Sequence, residues 1–416
     1  MTSLKSINQD DLRSHNLSVI IDTLLRAPSP MSRANLAKTT GLTKATISLL
    51  AGMLLEHGVV RELEPESAQP AYGRPSTPLT IASGSWAGIG LQINTDGYGC
   101  MALDLAGQVV ASRWVDDDMR QTDADDIFAK LNRVSQAVER KLRQRGYGVV
   151  GSGLALPGLV TDDMQLLMAR NLGWEHLNLG SYELVQRLDL MPGNEAKMAA
   201  LAQIPGYATQ EQPRSGAGSR ALEACELTPT DSFIYISTDI GIGGAVVHKG
   251  TVEVGDHGFA GELGHVSVDV NGPACRCGRR GCLETYAGRR ALVEAAGIAQ
   301  GDEAVNPKAV EELYRRWQAG DPKAVDAIDR ALDALVSVMA SAINLADVGT
   351  VMLGGFWANF DGSLTARLQR RLSHQILARD RIHPRVLLPR VADKPALQGA
   401  AEVGLRNFID NPLAYF

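Results

Sequence analysis

The chain has 416 residues, of which 45% are hydrophobic, and a formal net charge of −6. That length predicts more than one domain with full cores. No apolar run reaches the about 20 residues that a membrane helix needs, and residues 1–13 are polar, without the apolar stretch of a secretory signal. The expected setting is therefore cytoplasmic, with no membrane partner. The negative balance excludes a globally basic nucleic-acid binder, but it is uneven. Residues 1–80 hold 8 Lys and Arg against 7 Asp and Glu, while the remainder holds 33 against 40. The first eighty residues are thus free to approach DNA.

In chain order, Leu17, Ile20, Ile21, Leu24 and Leu25 recur at helical spacing and predict an amphipathic first helix, ended by the Pro-rich run 27–30. Ser32 is placed to cap a short second helix reaching about Thr39, with Gly41 as its stop. Thr43 caps a third helix that runs to His57. Two helices joined by a Gly-containing turn form a helix-turn-helix unit. On the third helix Ile47, Leu50, Ala51 and Leu54 face inward. Lys44, Ala45, Ser48, Leu49 and Gly52 lie opposite, small enough for a major groove. Arg33, Thr43, Lys44, Ala45, Thr46, Ser48 and Leu49 form the expected DNA-binding set. Strands at 59–63 and 78–81 would make a wing, with Arg74 in the loop between them suited to a narrow minor groove. A helical dimerisation module is the alternative for the whole head, and Lys44 and Arg74 could each be merely solvated.

From residue 87 short apolar runs alternate with helices, which predicts an α/β architecture. Strands are expected at 88–93 and 99–105 as a hairpin, at 149–156, at 233–237 and 244–247 as a pair, and at 350–353 as a lone strand. A helix is expected at 125–142, and a mobile loop at 205–227.

Three of the five cysteines fall within eight positions: Cys275, Cys277 and Cys282, with His265 ten residues upstream. One imidazole and three thiolates suit a closed tetrahedral zinc site, and clustered thiols fit a reducing compartment. A reduced cysteine cluster without metal is the alternative. Cys100 and Cys225 match no motif.

The stretch Gly-Glu-Leu-Gly-His (261–265) followed by Cys-Arg-Cys-Gly-Arg-Arg-Gly-Cys-Leu-Glu (275–284) resembles the signature of the ROK family (repressors, open reading frames and kinases). The resemblance covers about residues 82–405. The head, with Ser-Arg-Ala-Asn-Leu-Ala (32–37), Gly-Leu-Thr-Lys-Ala-Thr (41–46) and Gly-Arg-Pro (73–75), is similar to the winged helix-turn-helix of ROK repressors. The resemblance implies a winged head over 1–81. It further implies a two-lobed, actin-like ATPase-type sugar-binding body over 82–416, with one lobe about 82–200 plus the C-terminal segment and the other about 201–390. It also implies a sugar site at Asn194, Glu195, Glu262, His265 and Glu284, with Asn171 nearby. Operator DNA, a sugar or sugar phosphate, and a second copy in a homodimer or homotetramer are the implied partners.

A sugar kinase needs a general base and a phosphate-cradling loop. ROK kinases carry Asp-x-Gly-Gly-Thr at the first position, where this chain reads Gly90-Leu91-Gln92-Ile93-Asn94-Thr95. They carry Asn-Asp where this chain reads Asn194-Glu195. Glu195 thus occupies the base position with one methylene too many, a shift of about 1 Å that can cost about 100-fold. Gly241, Gly243, Gly244, Gly354 and Gly355 are read as strand-turning glycines before nucleotide-binding ones. The expected protein is a repressor rather than an enzyme, and an active kinase with an added DNA-binding head is the alternative. An activator sharing every residue with the repressor stays open.

Overall fold

The computed structural model describes residues 8–64, 77–210, 227–360 and 362–416. The head comprises α1 (Gln9–Arg26), α2 (Arg33–Thr40), α3 (Lys44–Glu56), β1 (Val60–Glu62) and β2 (Leu79–Ile81). Its caps are local and side-chain driven. Asn8 and Asp11 form a reciprocal capping box at the start of α1. Ser32 caps α2 through Asn35 N–H, and Gly41 ends it in the left-handed region. Thr43 caps α3 through Thr46 N–H. β1 and β2 pair antiparallel, Val60 opposite Ile81 and Glu62 opposite Leu79, as the two strands of a wing. The loop between them, with Arg74, lies outside the described residues.

The body opens with a meander of β3 (Trp86–Asn94), β4 (Gly97–Asp104) and β5 (Val109–Asp116). There follow α4 (Ala124–Gln144), β6 (Gly148–Leu156), β7 (Leu159–Val160), β8 (Gln165–Ala169), β9 (Trp174–Asn178), α5 (Glu183–Leu188), β10 (Leu190–Asn194) and α6 (Glu195–Leu201). The second half repeats the plan. A meander of β11 (Phe233–Thr238), β12 (Ile242–His248) and β13 (Thr251–Val252) leads to α7 (Glu284–Ala287), α8 (Arg289–Ala295), α9 (Pro307–Gln318) and α10 (Pro322–Ala346). After these come β14 (Thr350–Gly355), α11 (Gly362–Ser373), β15 (Arg385–Leu387) and α12 (Pro395–Asp410).

Each half builds a five-stranded sheet, in the orders β10-β6-β3-β4-β5 and β13-β12-β11-β14-β15. In both, three antiparallel strands are followed by two parallel ones. The strand at 350–353, expected to stand alone, is instead held on both sides, by β11 and β15. Its partners are distant in sequence, so local pattern alone could not supply them.

The helix that follows each sheet packs on the other lobe. α6 lies against β11 and β12, α12 lies against β3 and β6, and the two helices touch each other. Small residues make this crossing possible. A side chain at Gly90 would collide with the Leu397 carbonyl and Ala401, and one at Gly399 with the Met198 carbonyl. Gly90 therefore serves helix packing on this sheet.

The head is joined to the body by a shared core. Leu17, Ile20, Ile21, Leu24, Leu50 and Leu54 cluster with Leu103, Val150, Leu405, Phe408 and Ile409. His57 stacks on Phe416 at 4.0 Å between ring centroids, and Trp86 donates from Nε1 to the His57 carbonyl at 2.7 Å. Asp22 of α1 pairs with Arg406 of α12. Residues 205–210, expected to be the start of a mobile loop, are largely buried in this region. Ala208 joins the shared core, and a side chain at Gly206 would meet the Leu25 carbonyl. The rest of that loop, 211–226 with Cys225, lies outside the described residues. Cys100 is buried in β4.

Candidate functional site

The knuckle at 265–284 brings four donors together. His265, Cys275, Cys277 and Cys282 place their ligand atoms within 4.8 Å of one another. Cys275 Sγ is 3.7 Å from His265 Nδ1, and Cys277 Sγ is 3.6 Å from Cys282 Sγ. A tetrahedron with zinc–sulfur bonds of about 2.3 Å has edges of about 3.7 Å, so the donor set and its spacing fit zinc. Local backbone makes the fit. Cys275 N–H donates to the Arg279 carbonyl and Gly278 N–H to that of Cys275, closing the turn. Gly281, at φ +62°, sits where a side chain would run into the Asp269 carbonyl.

His265 turns Nδ1 toward the thiols, so Nε2 is the nitrogen left for another partner. It stands on the same segment as Glu262, whose carboxyl is pushed up by burial, opposed by His265 and Lys197 and reinforced by Glu284. Those three residues thus lie within electrostatic reach of Glu262. Glu284, the first residue of α7, accepts from Ile242 N–H at 3.3 Å. A side chain at Gly241 would come within 2.6 Å of Glu284 Oε2 and 3.4 Å of Asn171 Nδ2. Asn171 and Glu284 therefore meet over Gly241, which forms the floor between them.

On the facing lobe, Asn194 caps α6. Its Oδ1 accepts from Ala196 and Lys197 N–H, and its Nδ2 donates to the Gly158 carbonyl at 2.9 Å. One N–H of Asn194 is left for a ligand. Glu195 follows, its carboxyl closed in by protein and pushed up to about 7 by burial, with Asp96 adding to the rise and Gln92 opposing it. Gln92 Nε2 donates to Glu195 Oε2 at 3.3 Å, while Gln92 Oε1 finds no partner among the described residues. A buried amide and a carboxyl that titrates near neutral pH can present both donors and acceptors to a ligand.

The turn between β3 and β4 is tied by a bond of its own. Asn94 Oδ1 accepts from Asp96 N–H at 2.9 Å, so that amide is already used. The sequence pattern gives no sugar-site role to Gln92, Gly241 or Lys197. Lys197 is 8% exposed and donates to the Val254 and Gly258 carbonyls, and burial lowers its pKa. Its one signal in the sequence is its place three residues after Asn194. Gln92 gave none, since a glutamine in a strand carries no motif. Behind Asn194 and Lys197 a cavity of about 450 Å³ reaches Arg26 of the head and Arg406 of α12.

The outer face of α3 carries Lys44, Ala45, Ser48 and Leu49, all exposed, with Leu49 at 63%. Thr43 and Thr46 bond each other at 2.8 Å at its N-terminus, and Ser48 Oγ donates back to the Lys44 carbonyl. Arg33 is held by Glu62 at 2.6 Å, at the foot of the wing.

The model for the ROK family matches residues 220–406, and that for the IclR helix-turn-helix domain matches residues 17–64. The chain is 26% identical over 290 residues to the xylose repressor of Bacillus subtilis, covering 69% of each. It is 24% identical over 385 residues to the DNA-binding transcriptional dual regulator NagC of Escherichia coli, covering 89% of this chain and 88% of that one. Among solved structures, a ROK family transcriptional regulator described as a homolog of the E. coli MLC protein superposes with a TM-score of 0.75 at 23% identity, over 97% of this chain and 98% of that one. A ROK hexokinase from Thermus thermophilus superposes with a TM-score of 0.59 at 26% identity, over 79% of this chain and 98% of that one.

Proposed function

From the match of residues 220–406 to the ROK family and of residues 17–64 to a helix-turn-helix domain, we propose that the chain is a sugar-responsive, DNA-binding transcriptional repressor whose kinase-like body works as a receptor. One observation carries the reading: a head with an exposed α3 shares a core with α12, and α12 packs on α6, which begins at Asn194 and Glu195. In this proposal Lys44, Ala45, Thr46, Ser48 and Leu49 face operator DNA, with Thr43 and Arg33 at the rim. Two heads of a homodimer, or of a homotetramer, meet an inverted repeat.

The effector is a sugar or a sugar phosphate, as the relatives named for xylose and N-acetylglucosamine repression suggest. Asn171, Glu262, His265 and Glu284 on one side and Asn194 and Glu195 on the other bind its hydroxyls. Zinc held by His265, Cys275, Cys277 and Cys282 supplies a structural cross-link to the knuckle. With Nδ1 on the metal, Nε2 of His265 would be left to face the ligand. Closure moves α6, α12 carries the movement to α1, and the heads lose their spacing. Sugar and operator oppose each other reciprocally, by a coupling typically about 1–3 kcal/mol.

Kinase turnover is not part of this proposal, because the Asp96 amide is engaged and Glu195 is the longer acid at the base position. The test mixes the protein with magnesium ATP and a panel that includes xylose, N-acetylglucosamine and their phosphates, and follows ADP release beside thermal shift. Stabilisation by one sugar without ADP release supports the receptor. Sugar-dependent ADP release at ordinary kinase rates overturns it in favour of a kinase.

A further inference from the structure

The two sheets present their hairpin turns to each other across the cleft. The β3–β4 turn carries Asp96, and the β11–β12 turn carries Asp239. Arg289, the first residue of α8, lies between them. Its Nη1 and Nη2 donate to the two oxygens of Asp96 at 3.2 and 3.0 Å. Nη2 also donates to Asp239, and Nη1 to the Val305 carbonyl at 2.9 Å. The guanidinium is 11% exposed, against 33% for Asp96 and 42% for Asp239.

A planar fork satisfied on both sides is the arrangement in which arginine is least replaceable by a point charge. Asp239 and Val305 belong to the same lobe as Arg289, so the bond to Asp96 is the one that crosses. A second, weaker crossing lies nearby, where Arg120 donates to the Asp302 carbonyl at 3.1 Å.

We propose that Arg289 is an interlobe clasp: its side chain grips the turn of the opposite lobe and holds the cleft closed without nucleotide. A phosphate-transferring protein must leave room in its cleft for a metal and phosphates. Between these two turns the cleft holds the protein's own cation, so lobe closure is governed by the Arg289–Asp96 bond and by the sugar. The inference deepens the receptor reading and rests on it for its purpose, though not for its geometry.

The experiment is single-molecule energy transfer between fluorophores placed through non-natural amino acids at Val109 and Leu345, both exposed and on opposite lobes. Labelled chains are diluted into unlabelled protein so that only distances within one chain are read. Without sugar, R289Q shifts the population from the short-distance state toward a longer one. R289K, which keeps the charge but not the fork, falls between R289Q and the unsubstituted chain. Should R289Q fail to fold, D96N removes only the crossing carboxylate, leaves Arg289 paired with Asp239 and Val305, and opens the lobes in the same way. A folded D96N and a folded R289Q with the unsubstituted distribution both overturn the clasp. No sugar, ATP or DNA is present, so that failure leaves the receptor reading standing, whereas ADP release in the kinase assay overturns the receptor reading and not the clasp.

Discussion

At the residue scale, each candidate group has a job set by its immediate neighbours. Cys282 is buried and stands 3.6 Å from Cys277 Sγ, so Cys282→Ser removes one of the four proposed zinc ligands. Zinc per chain, measured by elemental analysis, should fall from one to well below one, and sugar-induced stabilisation should weaken with it. Full zinc content with a full sugar response would rule out the proposed site. Lys44 is exposed at the start of α3 and should contact phosphate. Lys44→Ala is expected to weaken operator binding about equally for all sequences and to lower the salt slope by about 1. A loss confined to one base position would reassign it to base reading.

Glu402 is a sharper case. It is 1% exposed, one oxygen accepts from Gln398 and Thr209, and the other has no partner among the described residues. Burial pushes its carboxyl up to about 7. A carboxyl raised on folding contributes stability at low pH and loses it as pH climbs from its ordinary value through about 7. Glu402→Gln should therefore be more stable than the parent at pH 8, by about 1–3 kcal/mol for a relieved unsatisfied group. The gain should shrink at pH 5. Equal stability differences at both pH values in denaturant titrations would show that the Glu402 carboxyl is not raised on folding.

At the element scale, the crossing of α6 and α12 carries the most consequence. α6 starts at the candidate sugar site and packs on the second sheet, while α12 packs on the first sheet and on α1. Gly399 lets the two helices touch, because any side chain there would strike the Met198 carbonyl. Gly399→Val should push the helices apart, leave the exposed face of α3 unchanged and uncouple the two sites. Operator binding would then persist while sugar no longer releases it, which a mobility-shift titration with and without effector reads directly. Normal release in that variant would mean that coupling takes another route. Much of this was legible in outline. The caps at Ser32, Thr43 and Gly41 and the apolar stripe of α1 are short-range patterns, and the helices follow them. The strand at 350–353 lies where the sequence puts it, but it is not lone, because its parallel partners come from far along the chain.

At the scale of the whole molecule, head and body are not independent beads. Phe408 of α12 is fully buried between them, stacked on Trp86 and edge-on to Tyr415. Phe408→Ala should cost about 3–5 kcal/mol, and head and body should lose structure in one transition. Two separated calorimetric transitions in the parent would show instead that the shared core does not couple them. A rigid seat for the head also suits the proposed mechanism, since a head on a loose tether could not report lobe closure.

The amino-acid sequence by itself determined the α/β class, the helix caps, the four clustered zinc-type donors and the family to which they point. Those signals lie within about thirty residues of one another, where spacing alone implies proximity. Only the tertiary structure decided that Gly90 serves packing and that Gly241 floors the meeting of Asn171 and Glu284. It also placed Asp96 and Asp239 around Arg289, and the head on α12. These are contacts between residues up to several hundred positions apart, made by strand pairing and helix crossing. Chain folding sets such distances, and no local pattern encodes them.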